Sequence, residues 1–183
     1  MLIGITGPQG SGKSIVSDYI GEYLGCNVIH VDELAHEVLD INLYNEVLGW
    51  FNLPAEKVVD RKKLGSLLFA SEDLMKKYNE RIYELIIKRL NEIINSESIQ
   101  IIDWNFLPIS SIYDVCDLKV LVTAPLEERI KRVVQRDSIS ESYAYEREHS
   151  GISYEPSMYD LVLNNYNVEL EYLAKEVKSL LCK

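Results

Sequence analysis

Cysteine and histidine are both scarce: the 183-residue chain has three of each. Cys26, Cys116 and Cys182 are too few and too scattered for a disulfide framework, which suits a reducing, cytoplasmic setting. His30, His36 and His149 have no paired Cys/His ligand spacing, so no structural zinc site is expected and they read as structural or surface residues. No apolar stretch reaches the roughly 20 residues needed to cross a membrane. No basic, cleavable segment precedes the first apolar run, so no export signal is visible. Basic residues are outnumbered, 19 against 29 acidic, for a formal charge of −10. That balance argues against nucleic-acid or anionic-membrane binding, while a local basic pocket stays open. Internal repeats and low-complexity tracts are missing too.

What is present is the composition of one globular domain, with 47% hydrophobic and 26% charged residues. Short runs rich in Ile, Val and Leu alternate with helical patterns. The strand candidates are 2–6, 27–31, 99–102, 118–123 and 161–163. Most are apolar on both faces, as buried parallel strands are. Helical patterns cover 14–24, 125–136 and 167–181, the second with Pro125 at its start and Glu127 and Glu128 in the first turn. The block 33–98 breaks the rhythm, being almost entirely helical in pattern, with Asp60 and Ser71 as candidate caps. It reads as a helical insertion at the sheet's carboxyl edge, where open α/β folds bind ligands. The plain alternative is extra core packing.

The strongest motif is Gly7-Pro8-Gln9-Gly10-Ser11-Gly12-Lys13-Ser14, the G-x-x-x-x-G-K-[ST] pattern of a phosphate-binding loop. It lies between a predicted strand and a predicted helix, with Ile15 next. Glycines permit the close turn, and the amides and helix N-terminus face an anion. Lys13 can reach the outer phosphates of a nucleotide, and the Ser14 hydroxyl can ligate Mg²⁺. Asp32 and Asp103 each end or follow an apolar run, and so should stand at carboxyl ends of strands. Asp32 suits a proton acceptor for a substrate hydroxyl; its plain alternative is the N-cap of a helix over 33–40. Asp103 suits a carboxylate that holds the metal or its waters. Arg129, Arg132 and Arg136 share one helix face, and Arg147 follows in a polar, Tyr-rich lid segment, 137–150. Cations of this kind stabilise a phosphoryl group in transfer, with Arg136 the leading candidate. The alternative is a solvated face with Glu128–Arg132 and Arg132–Asp137 pairs. Arg61 can meet an acceptor phosphate, or simply follow its Asp60 cap on the surface.

The combination resembles the dephospho-CoA kinase family over nearly the whole chain. The resemblance rests on Gly4-Ile5-Thr6-Gly7 leading into the loop, on Val28 to His36 around Asp32, and on Asp60-Arg61 with Leu64 and Phe69. Cys116-Asp117, Arg132 to Asp137, and Asp160 to Asn165 complete it. It implies an α/β P-loop kinase: a five-stranded parallel sheet flanked by helices, a helical acceptor-binding insertion and a small lid. It implies transfer of the ATP γ-phosphate to the ribose 3′-hydroxyl of dephospho-CoA, with Mg²⁺. On this pattern Gly7 to Ile15 and Arg132 bind the nucleotide, Asp32, Arg61 and Asp103 bind the acceptor, and Lys13, Asp32 and Arg136 are catalytic. The chain departs from the family's usual residues at Asn79-Glu80, at Trp104-Asn105-Phe106, at Arg129 (usually glutamine) and at His30 (usually aspartate). Two other readings stay open: a kinase for a nucleoside, nucleotide or other hydroxyl acceptor, and a nucleotide-binding regulator. The guanine-specific Asn-Lys-x-Asp and the signature loop of transport ATPases are missing.

Overall fold

The computed structural model describes residues 1–95, 97–149 and 151–181. Ser96 of the expected insertion, Ser150 at the end of the expected lid, and Cys182 lie outside the described residues. The strands are β1 Leu2–Thr6, β2 Asn27–His30, β3 Gln100–Asp103, β4 Leu118–Thr123 and β5 Leu161–Asn164. The helices are α1 Lys13–Leu24, α2 Val31–Val38, α3 Ile41–Trp50, α4 Arg61–Phe69, α5 Glu72–Ile93, α6 Ile112–Val115, α7 Leu126–Asp137, α8 Glu141–His149 and α9 Leu170–Leu181. The strands pair in the order β2-β3-β1-β4-β5, every pair parallel. This is the expected five-stranded parallel sheet flanked by helices. The chain divides into two compact units: Met1–His30 with Ile94 onward, and Val31–Ile93.

In the sheet unit, alternation decides which side chain meets which layer. Ile3 and Ile5 of β1 join a core with Val16 and Ile20 of α1 and Leu173, Ala174 and Val177 of α9. Gly4 faces the opposite side. A Cβ there would lie 2.6 Å from Leu107 Cδ2 and 2.7 Å from Cys116 Sγ, so only glycine lets those two side chains lie on the strand. The amino edge is fastened by the same device twice. Asp117 accepts the Leu2 amide on Oδ2 at 2.7 Å while its own N–H donates to Leu2 O. Asp160 treats Lys119 likewise, accepting its amide at 2.7 Å. Each aspartate satisfies a strand-end amide beyond the ladder.

Several boundaries shift from the sequence expectations. β2 stops at His30, because its partner β3 ends there: His30 stands opposite Asp103. Val31, expected in the strand, instead opens α2 and is fully buried as a helical residue. β3 runs to Asp103, which is therefore inside the strand and not after it. α1 starts at Lys13, one residue before the expected start, and α9 starts at Leu170, three residues after. Pro125 is the N-cap of α7, just outside the helix.

The second unit is helical and has its own core. Leu39, Leu43, Tyr44, Val47, Leu48, Leu64 and Leu68 are buried together. Asp40 caps α3 through the amides of Asn42 and Leu43, and Asp60 caps α4 through the Lys63 amide at 2.9 Å. Tyr44 is buried with its hydroxyl donating to Glu56 at 2.8 Å.

Replacing Asp117 with alanine should leave the Leu2 amide without an acceptor. We expect a loss of about 1–3 kcal/mol in chemical denaturation, the usual cost of a buried orphan donor, with the slope of the transition unchanged.

Candidate active site

The phosphate loop is shaped by contact as much as by glycine content. A Cβ on Gly7 would sit 2.1 Å from Val122 O, and one on Gly10 2.3 Å from Arg129 O. The loop is thus pressed against β4 and α7. Gly12 caps α1 in the left-handed region, φ 79°, with no side-chain cap. Behind the loop its carbonyls are held. Asn165 Nδ2 donates to Ser11 O at 2.8 Å. Arg132 Nη1 donates to Gly10 O and Ser11 O at 3.3 and 3.4 Å, and Arg129 Nη1 to Gln9 O at 3.4 Å. In a planar trans peptide the N–H points opposite to the C=O. Holding the Gln9 and Ser11 carbonyls therefore aims the Gly10 and Gly12 amides the other way, as an anion site needs. The Ser11 amide closes the turn on Pro8 O. Gln9 Oε1 and Ser11 Oγ are buried in this loop without a hydrogen-bond partner among the described residues.

Beside the loop lies a chain of four ionisable side chains. Lys13 is 7% exposed, and its Nζ donates to Asp103 Oδ1. Asp103 is 3% exposed, and its Oδ2 meets His30 Nδ1 at 2.9 Å. His30 Nε2 meets Asp18 Oδ1 at 2.8 Å. Strand register makes this arrangement: Asp103 stands opposite both Ile5 of β1 and His30 of β2. Burial pulls the His30 pKa down, but hydrogen bonds and charge from Asp103 and Asp18 outweigh it and leave it raised. His30, expected to be a structural or surface residue, is a half-buried bridge between the two aspartates. Its position at the end of an apolar run, like that of Asp103, was the available signal. Asn165 was also missed as a brace, although it follows the β5 run in the same way.

Ser14 and Ile15 are exposed in the first turn of α1. Asp32 is neither at a strand end nor an N-cap: it is the second residue of α2, exposed in its first turn. Arg61 donates to His36 O at 3.2 Å and lines, with Leu39, Glu56, Val58, Val59 and Asp60, a cleft of about 690 Å³. The three arginines of α7 do not form one solvated row. Arg129 is buried and pairs with Glu148 at 2.6 Å. Arg132 pairs with Glu128 at 3.1 Å, as expected, and also donates to Asn165 O. Asp137 pairs not with Arg132 but with Arg136 at 2.7 Å and Arg147 at 2.8 Å. Arg136, then Arg147, hold its carboxyl down at about 2. Among the described residues no cluster of three or more His, Cys, Asp or Glu could hold a metal ion. None of the described helices is long and apolar enough to cross a membrane.

A sequence-family model described as dephospho-CoA kinase matches residues 1–170. The chain belongs to the dephospho-CoA kinase family. It is 31% identical to the dephospho-CoA kinase of Fusobacterium nucleatum over 186 aligned positions, covering 97% of this chain and 95% of that protein. The crystal structure of TT1252 from Thermus thermophilus superposes with a TM-score of 0.75 at 27% identity, covering 100% of this chain and 96% of that one. Dephospho-CoA kinase from Campylobacter jejuni, at 23% identity, shares the fold with a TM-score of 0.69 over 98% and 94% of the two chains.

His30 should titrate above the usual 6.5 of an imidazole. Because its folded value is raised, its contribution to stability is full below the unfolded pKa and is lost as pH rises through the folded one. An NMR titration of the His30 ring protons should show a midpoint above that usual value, falling in Asp18→Asn.

Proposed function

We propose that the chain transfers the γ-phosphoryl group of ATP to the ribose 3′-hydroxyl of dephospho-CoA, giving CoA and ADP. The carrying observation is Lys13, the first residue of α1, held buried by Asp103 beside a loop whose amides are aimed by its braced carbonyls. Family membership supports the donor and the acceptor. In this reading Gly7, Pro8, Gln9, Gly10, Ser11, Gly12, Lys13, Ser14 and Ile15 take the nucleotide phosphates, and Arg132 serves the nucleotide by holding the loop's carbonyls. Asp32 takes the proton of the attacking hydroxyl. The 3′-oxygen forms a bond to the γ-phosphorus as the bridging oxygen of ADP leaves. Lys13 and Arg136 meet the charge that spreads over the transferred group. Arg136 is suited to this because its side chain is 60% exposed and its guanidinium is oriented by Asp137.

Mg²⁺ suits the donor set. This ion keeps several waters and takes one or two protein oxygens beside the phosphates, so no preformed cage is needed. The Ser14 hydroxyl would hold it directly and Asp103 through water. Bound there, it would neutralise phosphate charge. Asp103 also takes part on the acceptor side, as does Arg61, whose cleft pairs a cation with the apolar Leu39, Val58 and Val59. We propose the segment 33–98 as the acceptor-binding insertion and 137–150 as the lid. The partners are small molecules, ATP and dephospho-CoA, and the excess of acidic residues suits neither nucleic acid nor a membrane surface. A reducing cytoplasm suits Cys26 and Cys116, which are free thiols, with burial pushing Cys116 up to about 12.

The test is incubation with ATP, Mg²⁺ and a panel of acceptors, read as ADP release and product mass. CoA formation is expected. Phosphorylation of a nucleoside or nucleotide instead would replace this reading with that kinase activity. ATP binding with no acceptor turned over would leave a nucleotide-binding regulator. Lys13→Ala should lower transfer by roughly 10²–10³ in a folded protein, the effect of losing one preorganised charge. Asp32→Asn keeps shape but cannot take a proton. It should lower kcat by roughly 10²–10⁴ while calorimetry shows ATP affinity unchanged.

A further inference from the structure

The helix α8 has little apolar surface with which to hold its place. Ala144 is its one buried residue among those described, and the cluster it joins adds only Ile130 and Val133 as buried members. A helix with so few buried contacts opens locally at low cost. Its charged contacts therefore weigh heavily, and exposed ones contribute little. Tyr145–Glu127 is exposed, and Arg147–Asp137 ties α8 to the last residue of α7 in a half-buried pair that does not reach the loop. Arg129–Glu148 is different.

Arg129 is 8% exposed on α7. Its Nε donates to Ala124 O at 3.1 Å, just after β4. Its Nη1 meets Glu148 Oε1 at 2.6 Å and Gln9 O at 3.4 Å. One guanidinium nitrogen thus touches a carboxylate of α8 and a carbonyl of the phosphate loop. A lysine could not do this, because its point charge lacks the planar fork that serves several acceptors at once. The residue before Glu148 is Arg147, which lines a cavity of about 360 Å³ with Pro8, Gln9, Asn105, Phe106 and Tyr154. Asp137 holds the Arg147 side chain, and Glu148 fixes the backbone beside it against the loop.

We propose that Arg129 and Glu148 are positioning residues, a buried latch that docks α8 on the phosphate loop and so sets Arg147 beside the cavity that Pro8 and Gln9 of that loop line. The proposal rests on the phosphotransferase reading above. Withdrawing Glu148 leaves a buried cation without its counter-ion, which is unfavourable and holds α8 docked. A docked lid keeps water from the reacting phosphate, and a loosened one lets water compete with the acceptor.

The experiment compares wild type with Glu148→Gln, Arg129→Gln and the double variant. Hydrogen exchange over residues 141–149 should be at least tenfold faster in each single variant, and no faster in the double than in the quicker single. The ratio of ATP hydrolysis to acceptor phosphorylation should rise several-fold in the same variants, with the ATP KM little changed in Glu148→Gln, whose side chain does not touch the loop carbonyls, and Arg129→Lys should not restore the wild-type ratio. If a single variant fails to fold, Arg129→Met with Glu148→Leu removes both charges together, and its α8 should still exchange faster than wild type. Unchanged exchange in Glu148→Gln, or additive effects in the double variant, would overturn the latch. A wild-type protein that phosphorylates no acceptor would overturn the kinase reading, while the exchange measurements still decide the latch.

Discussion

A buried ammonium must have an anion beside it, and Lys13 has Asp103. Removing either partner would leave the other charged group in the interior, at a cost of several kcal/mol. That requirement organises the carboxyl edge of the sheet. β3 has to end beside β1, so that Asp103 stands opposite Ile5. α1 has to begin at Lys13, immediately after a loop that only glycine at positions 7 and 10 allows to lie so close to β4 and α7. The second oxygen of Asp103 then has to be satisfied, and His30, the last residue of β2, supplies a ring nitrogen. Asp18 in turn satisfies the far side of that ring. The strand order β2-β3-β1 is the topology that permits this line of contacts.

The other side of the loop is governed by arginine. A guanidinium can serve several acceptors in one plane, and α7 uses this twice. Arg132 joins Glu128, two loop carbonyls and Asn165 O. Arg129 joins the loop, the end of β4 and α8. A kinase has to offer amides and cations to a polyanion without letting them collapse on one another. Tying carbonyls from behind with arginine does both, since it fixes the peptide planes and adds positive charge without exposing the loop's own donors.

Much of this was legible in the sequence. The loop pattern, the β1 and β4 bounds, the Asp60 cap and the five-stranded parallel sheet all follow from local residue types and apolar runs. What was not legible depends on partners distant in the chain. Val31 looks like a strand residue, yet β2 ends where β3 stops offering hydrogen bonds. His30 looks incidental until register places it opposite Asp103. Arg129 looks like one of three solvated cations at helical spacing, because nothing local announces Glu148, nineteen positions on, or the Gln9 carbonyl. Spacing fixes which residues share a helix face. It does not say which part of that face is covered.

The same distinction bears on how an acceptor is recognised. Phosphoryl transfer places demands on the loop, Lys13 and the surrounding cations that are the same for any hydroxyl acceptor, so those groups carry little acceptor identity. Discrimination has to come from surfaces that touch the rest of the acceptor. In the unit Val31–Ile93 most apolar side chains are already committed: Leu43, Tyr44, Val47 and Leu48 form its core, and Trp50 lies under the Lys77 ammonium. The large apolar groups left outside are Val58 and Phe69, 74% and 84% exposed. Val58 shares its cleft with Arg61, and Phe69 shares another, of about 650 Å³, with Met75, Asn79 and Glu80. On the reading proposed above, a cation set beside apolar groups suits an acceptor with an anionic group joined to a long, weakly polar arm. A compact base would need converging donors and acceptors in an enclosed pocket. Asn79-Glu80, where the sequence departs from the family, borders the Phe69 cleft and leaves the Arg61 cleft untouched. The departure therefore alters the surface beside Phe69 and leaves Arg61 and its cleft in place.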